Sequence, residues 1–207
     1  MTFKSINPYT NEEIFSFQEQ SEKEFLSVIN KTDEAFKKWR TEPVEKRSEL
    51  LNKAADELEK NVEEYSKTIT LEMGKPITQS KAEVLKCAWV CRFYAKNAGK
   101  FLADEIIETD ASESFISYDP LGAVFAIMPW NYPFWQVFRF AAPALAAGNA
   151  GVLKHAPNVF ESARKIEQVF QRAGFPNNIF SNIFIHHDKS EKVLTDKRIK
   201  AVTLTGS

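Results

Sequence analysis

The sequence predicts an α/β protein: a helical N-terminal part, then an open parallel sheet covered by helices on both faces. From Leu121 onward, short continuously apolar runs alternate with helix-periodic segments, the pattern of strands buried on both sides. As far as about Lys100 the apolar residues recur instead at helical spacing. Between the two parts, a pair of short β-rich runs flanks a polar turn, so a hairpin is expected to protrude. The resulting divisions are 1–104, 105–119 and 120–207.

In SEKEFLSVINKTDEAFKKWR the residues Phe25, Val28, Ile29, Phe36 and Trp39 form a helical stripe, and Ser21 with Glu24 makes a capping box at its start. The next helix is expected to open with Thr41 as N-cap and Pro43 in its first turn. Its apolar face, from Leu50 through Leu58 and Tyr65 to Ile69, runs unbroken to a stop at Gly74 and Pro76. A third helix follows from about Ile77 to near Gly99, with Val84, Ala88, Cys91 and Ala95 on one side. Cys87 and Cys91 lie within it at i,i+4, poorly placed for a disulfide and too few for a metal site, so they read as packing residues.

The hairpin comprises Ile106 to Thr109 and Ser114 to Tyr118, and such an edge outside the main sheet suits binding to a partner. GAVFAIMP, AGVLKHAP, NIFSNIFIH and IKAVTLTGS are then strands; PFWQVFRFAAPALAAG, NVFESARKIEQVFQRAG and DKSEKVLTD are helices. The pattern stops after a strand, at Gly206-Ser207, with no helix to cover that strand. The chain is therefore expected to be the N-terminal portion of a longer protein.

Net charge is −1, which excludes a strong electrostatic pull toward nucleic acid or anionic lipid. Met1 to Thr10 is polar and does not resemble a signal peptide. The longest uncharged run, Pro129 to Leu153, is broken by Arg139 and punctuated by Pro133, Pro143 and Gly148, against a membrane span. A cytoplasmic location is expected.

Ligands of open parallel sheets bind beyond the C-terminal ends of the strands. Three segments sit there: Met128 to Asn131, Lys154-His155 and Gly206-Ser207. No G-x-G-x-x-G follows the first strand, and the acidic residue that usually binds the adenosine ribose is missing. Lys154 stands near where that acid would be sought; it can donate to ribose hydroxyls and does not repel a 2′-phosphate, or it is a strand-end lysine reaching solvent. Asn131, between two prolines, carries an amide able to stabilise an oxyanion, or it is an ordinary turn asparagine. Arg139, the one charge in an apolar helix, is expected to be buried. It then needs a structural acid or a carboxylate-bearing ligand held through both guanidinium arms.

PWNYP after a buried strand, then GNAGVLKHAP, AGFPNNIF and AVTLTGS in that order, with INPYTNEEI and LEMGKP upstream, resemble the aldehyde dehydrogenase superfamily along the entire chain. IMPWNYPFWQV and KHAPN are most similar to its bacterial succinate-semialdehyde dehydrogenase branch. The resemblance implies a Rossmann-like cofactor domain and oxidation of an aldehyde, here succinate semialdehyde, to the acid with NAD or NADP. The family reaction proceeds through a cysteine thiohemiacetal and hydrolysis by a glutamate-activated water. Carried over by position, Asn131 is the oxyanion-stabilising amide, Lys154 contacts the adenosine ribose, Ser207 meets the pyrophosphate, and Gly206 is a further cofactor-binding residue. Ile127, Pro129 and Trp130 line the cofactor cleft. Pro157 replaces a glutamate frequent in NAD-preferring members. Arg139 matches a substrate-carboxylate arginine, with Trp135 and Gln136 beside the substrate tunnel. The catalytic cysteine and glutamate are expected beyond Ser207, so this chain alone is expected to be inactive. The hairpin implies a homo-oligomer. Two other readings stay open: a dehydrogenase for an uncharged aldehyde, and a short non-catalytic nucleotide-binding or dimer-forming module.

Overall fold

The computed structural model describes residues 2–206. Its centre is a parallel sheet of β5 (Ala123–Met128), β6 (Ala150–His155), β7 (Phe180–Asn182) and β8 (Ile199–Leu204), in the order β7-β6-β5-β8. Register is set by the pairs Phe125 with Val152, Leu153 with Asn182 and Ala126 with Thr203.

Successive side chains along a strand point to opposite faces. Phe125 and Val152 accordingly meet Phe25 and Ile29 of α1 (Glu22–Trp39) and Val193 of α7 (Ser190–Leu194) on one face. Ala126, Met128 and Leu153 meet α5 (Trp135–Ala146) and α6 (Phe160–Arg172) on the other. A further layer of α2 (Val44–Lys60), α3 (Val62–Met73) and α4 (Ile77–Phe101) packs outside α5 and α6. The uncovered strand expected at the C-terminal end is β8, where Val202 is 52% and Leu204 67% exposed.

The capping box forms as expected: the Ser21 hydroxyl accepts from the Glu24 N–H and the Glu24 carboxylate accepts from the Ser21 N–H at 2.7 Å. Thr41 is not an N-cap. Its hydroxyl donates back to the Lys38 carbonyl at 2.8 Å and finishes α1, while Pro43 precedes α2. The long second helix is two, broken at Asn61, whose backbone leaves helical geometry at φ −112°.

The part expected to be helical instead opens with an antiparallel pair, β1 (Thr2–Ile6) with β2 (Glu13–Gln18). The protruding hairpin survives as two short strands, β3 (Glu105–Ile106) and β4 (Phe115–Ile116), all four residues exposed. Among the described residues no helix is long and apolar enough to cross a membrane.

The LEMGKP segment is structural. The buried Glu72 carboxylate accepts from the Glu161 and Ser162 N–H groups at 2.9 and 2.8 Å, satisfying the start of α6, and from the Ser5 hydroxyl at 2.7 Å. Burial nevertheless raises its pKa against these donors. Gly74 ends α3 at φ +74°, and a Cβ there would lie 2.9 Å from Pro8.

Candidate functional site

The segment from Pro129 to Phe134 joins β5 to α5 and is gripped from two sides. His155, at the end of β6, lies beneath it with Nε2 2.8 Å from the Pro133 carbonyl oxygen. Nδ1 also faces a carbonyl, that of Met128 at 3.2 Å, but it receives the Ala156 N–H at 2.9 Å; the shorter carbonyl contact and this donor together put the proton on Nε2. The imidazole is buried, and burial pushes its pKa down to about 4, which keeps it neutral near pH 7.

From α4, the Glu83 carboxylate accepts from the N–H groups of Phe134 at 2.9 Å and Trp135 at 3.0 Å, the orphan donors of the first turn of α5. Its other oxygen pairs with Lys75 in the protein interior. The Lys75 ammonium in turn lies 3.6 Å from the centre of the Tyr132 ring. The backbone around Asn131 is thus held at its base while Asn131 itself is exposed.

Beyond the C-terminal ends of β5, β6 and β8 opens a cleft of about 530 Å³. Of the residues singled out in the sequence, Ile127, Pro129, Trp130, Asn131, Gln136, Lys154 and Gly206 line it. Trp135 and Pro157 do not. Adjacent residues of a helix point in different directions, and Trp135 faces the far side of the loop, with Lys86 Nζ 3.9 Å from its ring. Pro157 begins the short turn Pro157–Val159 that leads into α6. Ser207 lies outside the described residues.

Lys154 is only 8% exposed and has no hydrogen-bond or ion-pair partner among the described residues; burial lowers its pKa. Among the described residues no Asp or Glu lines the cleft. The Oε1 atom of Gln136 is buried there without a donor. Gly206, at φ +143°, takes a backbone conformation that side chains disfavour. A buried free cation and no carboxylate among the described lining residues suit a ligand rich in hydroxyl and phosphate groups.

A second cavity, about 380 Å³, shares Met128, Gln136 and Thr205 with the first and receives Arg139. The expected burial of Arg139 is overturned: the residue is exposed. It lies on the side of α5 facing the bare flank of β8, and its Nη2 donates to Thr205 Oγ1 at 3.3 Å. No acid pairs with it among the described residues, so its charge faces the cavity.

Cys87 and Cys91 are buried in α4, where burial raises both thiol pKa values, so neither is an activated nucleophile. Three contributors had no assigned role in the sequence reading: His155, Glu83 and Thr205. Only His155 carried a signal, as the neighbour of Lys154 on a strand and hence on the opposite face.

The aldehyde dehydrogenase family profile matches residues 1–207. A probable succinate-semialdehyde dehydrogenase (NADP(+)) of Synechocystis sp. is 50% identical over 207 residues, covering 100% of this chain and 46% of that protein. The succinate-semialdehyde dehydrogenase (NADP(+)) of Mycobacterium avium is 44% identical over 211 residues, covering 100% and 45%. The crystal structure of succinic semialdehyde dehydrogenase from Streptococcus pyogenes in complex with NADP+ superposes with a TM-score of 0.95 at 34% identity, covering 99% of this chain and 45% of that one. The chain thus spans just under half the length of the relatives it matches. Sequence match along the whole chain and superposition of the whole fold agree: the chain belongs to the aldehyde dehydrogenase family.

Proposed function

We propose that this chain provides the cofactor-binding part of an NAD(P)+-dependent aldehyde dehydrogenase that oxidises succinate semialdehyde, or another short ω-carboxy aldehyde, to the acid. The observation that carries the reading is the shared cleft of Lys154 and Asn131, with Arg139 opening onto the adjoining cavity. The dinucleotide, when bound, supplies the two-electron oxidant. Lys154 would hold its adenosine ribose; the lack of any cleft carboxylate leaves room for a 2′-phosphate, which favours NADP+. Ile127, Pro129, Trp130 and Gly206 would line the rest of its path, and Ser207 would meet its pyrophosphate. Pro157, away from the cleft, offers no charge against the phosphate.

Asn131 would donate its amide N–H to the aldehyde oxygen as negative charge develops there. Arg139 would bind the distant carboxylate, with Gln136 between the two groups. Trp135, on the far side of the loop, would act only by supporting α5. The reactive thiol is not one of the two buried cysteines, so the chain by itself is expected not to turn over. In the assembled enzyme the 105–119 hairpin, with its exposed Ile106, Phe115 and Ile116, would pair with another copy.

The test is dinucleotide reduction by the complete enzyme with succinate semialdehyde and with butanal. A strong preference for the charged aldehyde supports the reading. Equal rates favour a dehydrogenase for uncharged aldehydes, to which the Arg139–Thr205 hydrogen bond lends some support as a purely structural contact.

A further inference from the structure

We propose that His155 is a positioning residue for Asn131, locking the Pro129–Pro133 loop to the end of β6 so that Asn131 and Lys154 are held at one spacing. The inference rests on the oxyanion role given to Asn131 above.

Lys154 and His155 are consecutive on β6 and therefore point to opposite faces. Both border the cleft, Lys154 from one face of the strand and His155 from the side of Leu153, beneath the loop that enters α5. Its Nε2–H reaches the Pro133 carbonyl at 2.8 Å, two residues beyond Asn131. The same peptide group offers its N–H, that of Phe134, to Glu83 at 2.9 Å. One peptide plane is thus tied to β6 through oxygen and to α4 through nitrogen. The end of β6 is tied to the exit of β5 at the Met128 carbonyl, 3.0 Å from the Ala156 N–H, while the same N–H lies 2.9 Å from His155 Nδ1 and holds the ring in place. Without the imidazole, the only hydrogen bond to the Pro133 carbonyl among the described residues is lost and the loop pivots on Glu83. An oxyanion donor tolerates little displacement; an error of about 1 Å can lower the rate about 10²-fold.

The competing account makes His155 a core residue whose loss weakens the fold without touching the chemistry. Three variants of the complete enzyme separate the two. In His155→Asn an acceptor remains near the Nδ1 position but the side chain is too short to reach Pro133. In His155→Gln the amide N–H reaches that carbonyl again. Asn131→Ala removes the oxyanion donor directly.

His155→Asn is expected to lower kcat by about 10²-fold with the NADP+ KM unchanged, and His155→Gln to recover most of it. Hydrogen exchange at the Gln136 amide, which donates to the Tyr132 carbonyl of this loop at 3.0 Å, should quicken in His155→Asn but not in His155→Gln. In an Asn131→Ala background, His155→Asn should cost no further activity. Full kcat in His155→Asn beside a damaged Asn131→Ala overturns the inference, as do losses that multiply in the double variant. Unchanged kcat in Asn131→Ala overturns the oxyanion reading itself, and the inference built on it. Should His155→Asn fail to fold, imidazole nitrogen NMR of the unsubstituted protein examines the same bond. A protonated Nε2 with bare Nδ1 is expected; the reverse tautomer overturns it.

Discussion

His155 and Glu83 grip opposite ends of a single peptide group: the imidazole donates to the Pro133 carbonyl at 2.8 Å and the carboxylate accepts the Phe134 N–H at 2.9 Å. Two residues from distant parts of the chain thereby fix the loop that presents Asn131. The loop carrying the exposed amide is thus anchored by two buried side chains.

Glu83→Ala should be among the most destabilising single substitutions. It leaves Lys75, whose side chain is 6% exposed, without its counter-charge and frees two N–H groups at the start of α5. Breaking a buried pair from one side costs about 3–5 kcal/mol. Urea unfolding of the chain should register a loss of this size; a change within error of zero would show that the pair is solvated.

Stability should depend on His155 between pH 6.5 and pH 4. Its pKa falls from 6.5 to about 4 on folding, so the unfolded chain binds more protons in this window. The contribution is complete above pH 6.5 and is lost as pH falls toward 4, amounting to about 3 kcal/mol. Glu72, raised by burial, shifts the balance in the opposite sense, so the comparison is between the parent chain and His155→Gln. The stability difference between them should shrink on acidification across this window. A constant difference would mean that the imidazole is already charged in the fold.

Lys154→Met should stabilise the ligand-free chain while weakening NADP+. The ammonium is buried without a partner, and burial already lowers its pKa. A thioether of similar length removes that desolvation cost. Loss of a charge-assisted hydrogen bond should weaken dinucleotide affinity by about tenfold or more. Thermal unfolding and isothermal titration together decide the matter, and a fall in both Tm and affinity would show that Lys154 has a structural partner.

Arg139→Leu should leave folding nearly untouched, since the exposed guanidinium makes one long hydrogen bond, 3.3 Å to Thr205. In the complete enzyme it should lower kcat/KM for succinate semialdehyde relative to butanal by about 10- to 100-fold. An unchanged ratio would remove the carboxylate role.

Much of this architecture was legible before any coordinates. Ser21 with Glu24, Gly74 after α3 and the apolar runs of β5 and β6 are local signals, and they specify the same elements in the fold. The first strand escaped because its inward face is Phe3 and Ser5: the second is polar, buried only because Glu72 waits for its hydroxyl, so no apolar alternation is visible. The break at Asn61 carries neither glycine nor proline. Asn131 and Lys154 could be named from their places after strands, and Arg139 from its apolar surroundings. The exposure of Arg139, the aim of Trp135 away from the cleft and the grip of Glu83 on α5 depend on how α4, α5 and β8 pack. Residues 51 positions apart, such as Glu83 and Phe134, give no local sign that they will meet.

The central claim is that one cleft holds a catalytic amide and a separate cofactor anchor. The most direct measurement is the kinetic split between Asn131→Ala and Lys154→Met in the complete enzyme, with NADP+ affinity measured on the same samples. Asn131→Ala should lower kcat by about 10²–10³-fold at unchanged NADP+ affinity, as loss of an oxyanion donor does; Lys154→Met should weaken NADP+ while retaining kcat at saturating cofactor. Full kcat in Asn131→Ala together with unaltered NADP+ binding in Lys154→Met would contradict the claim.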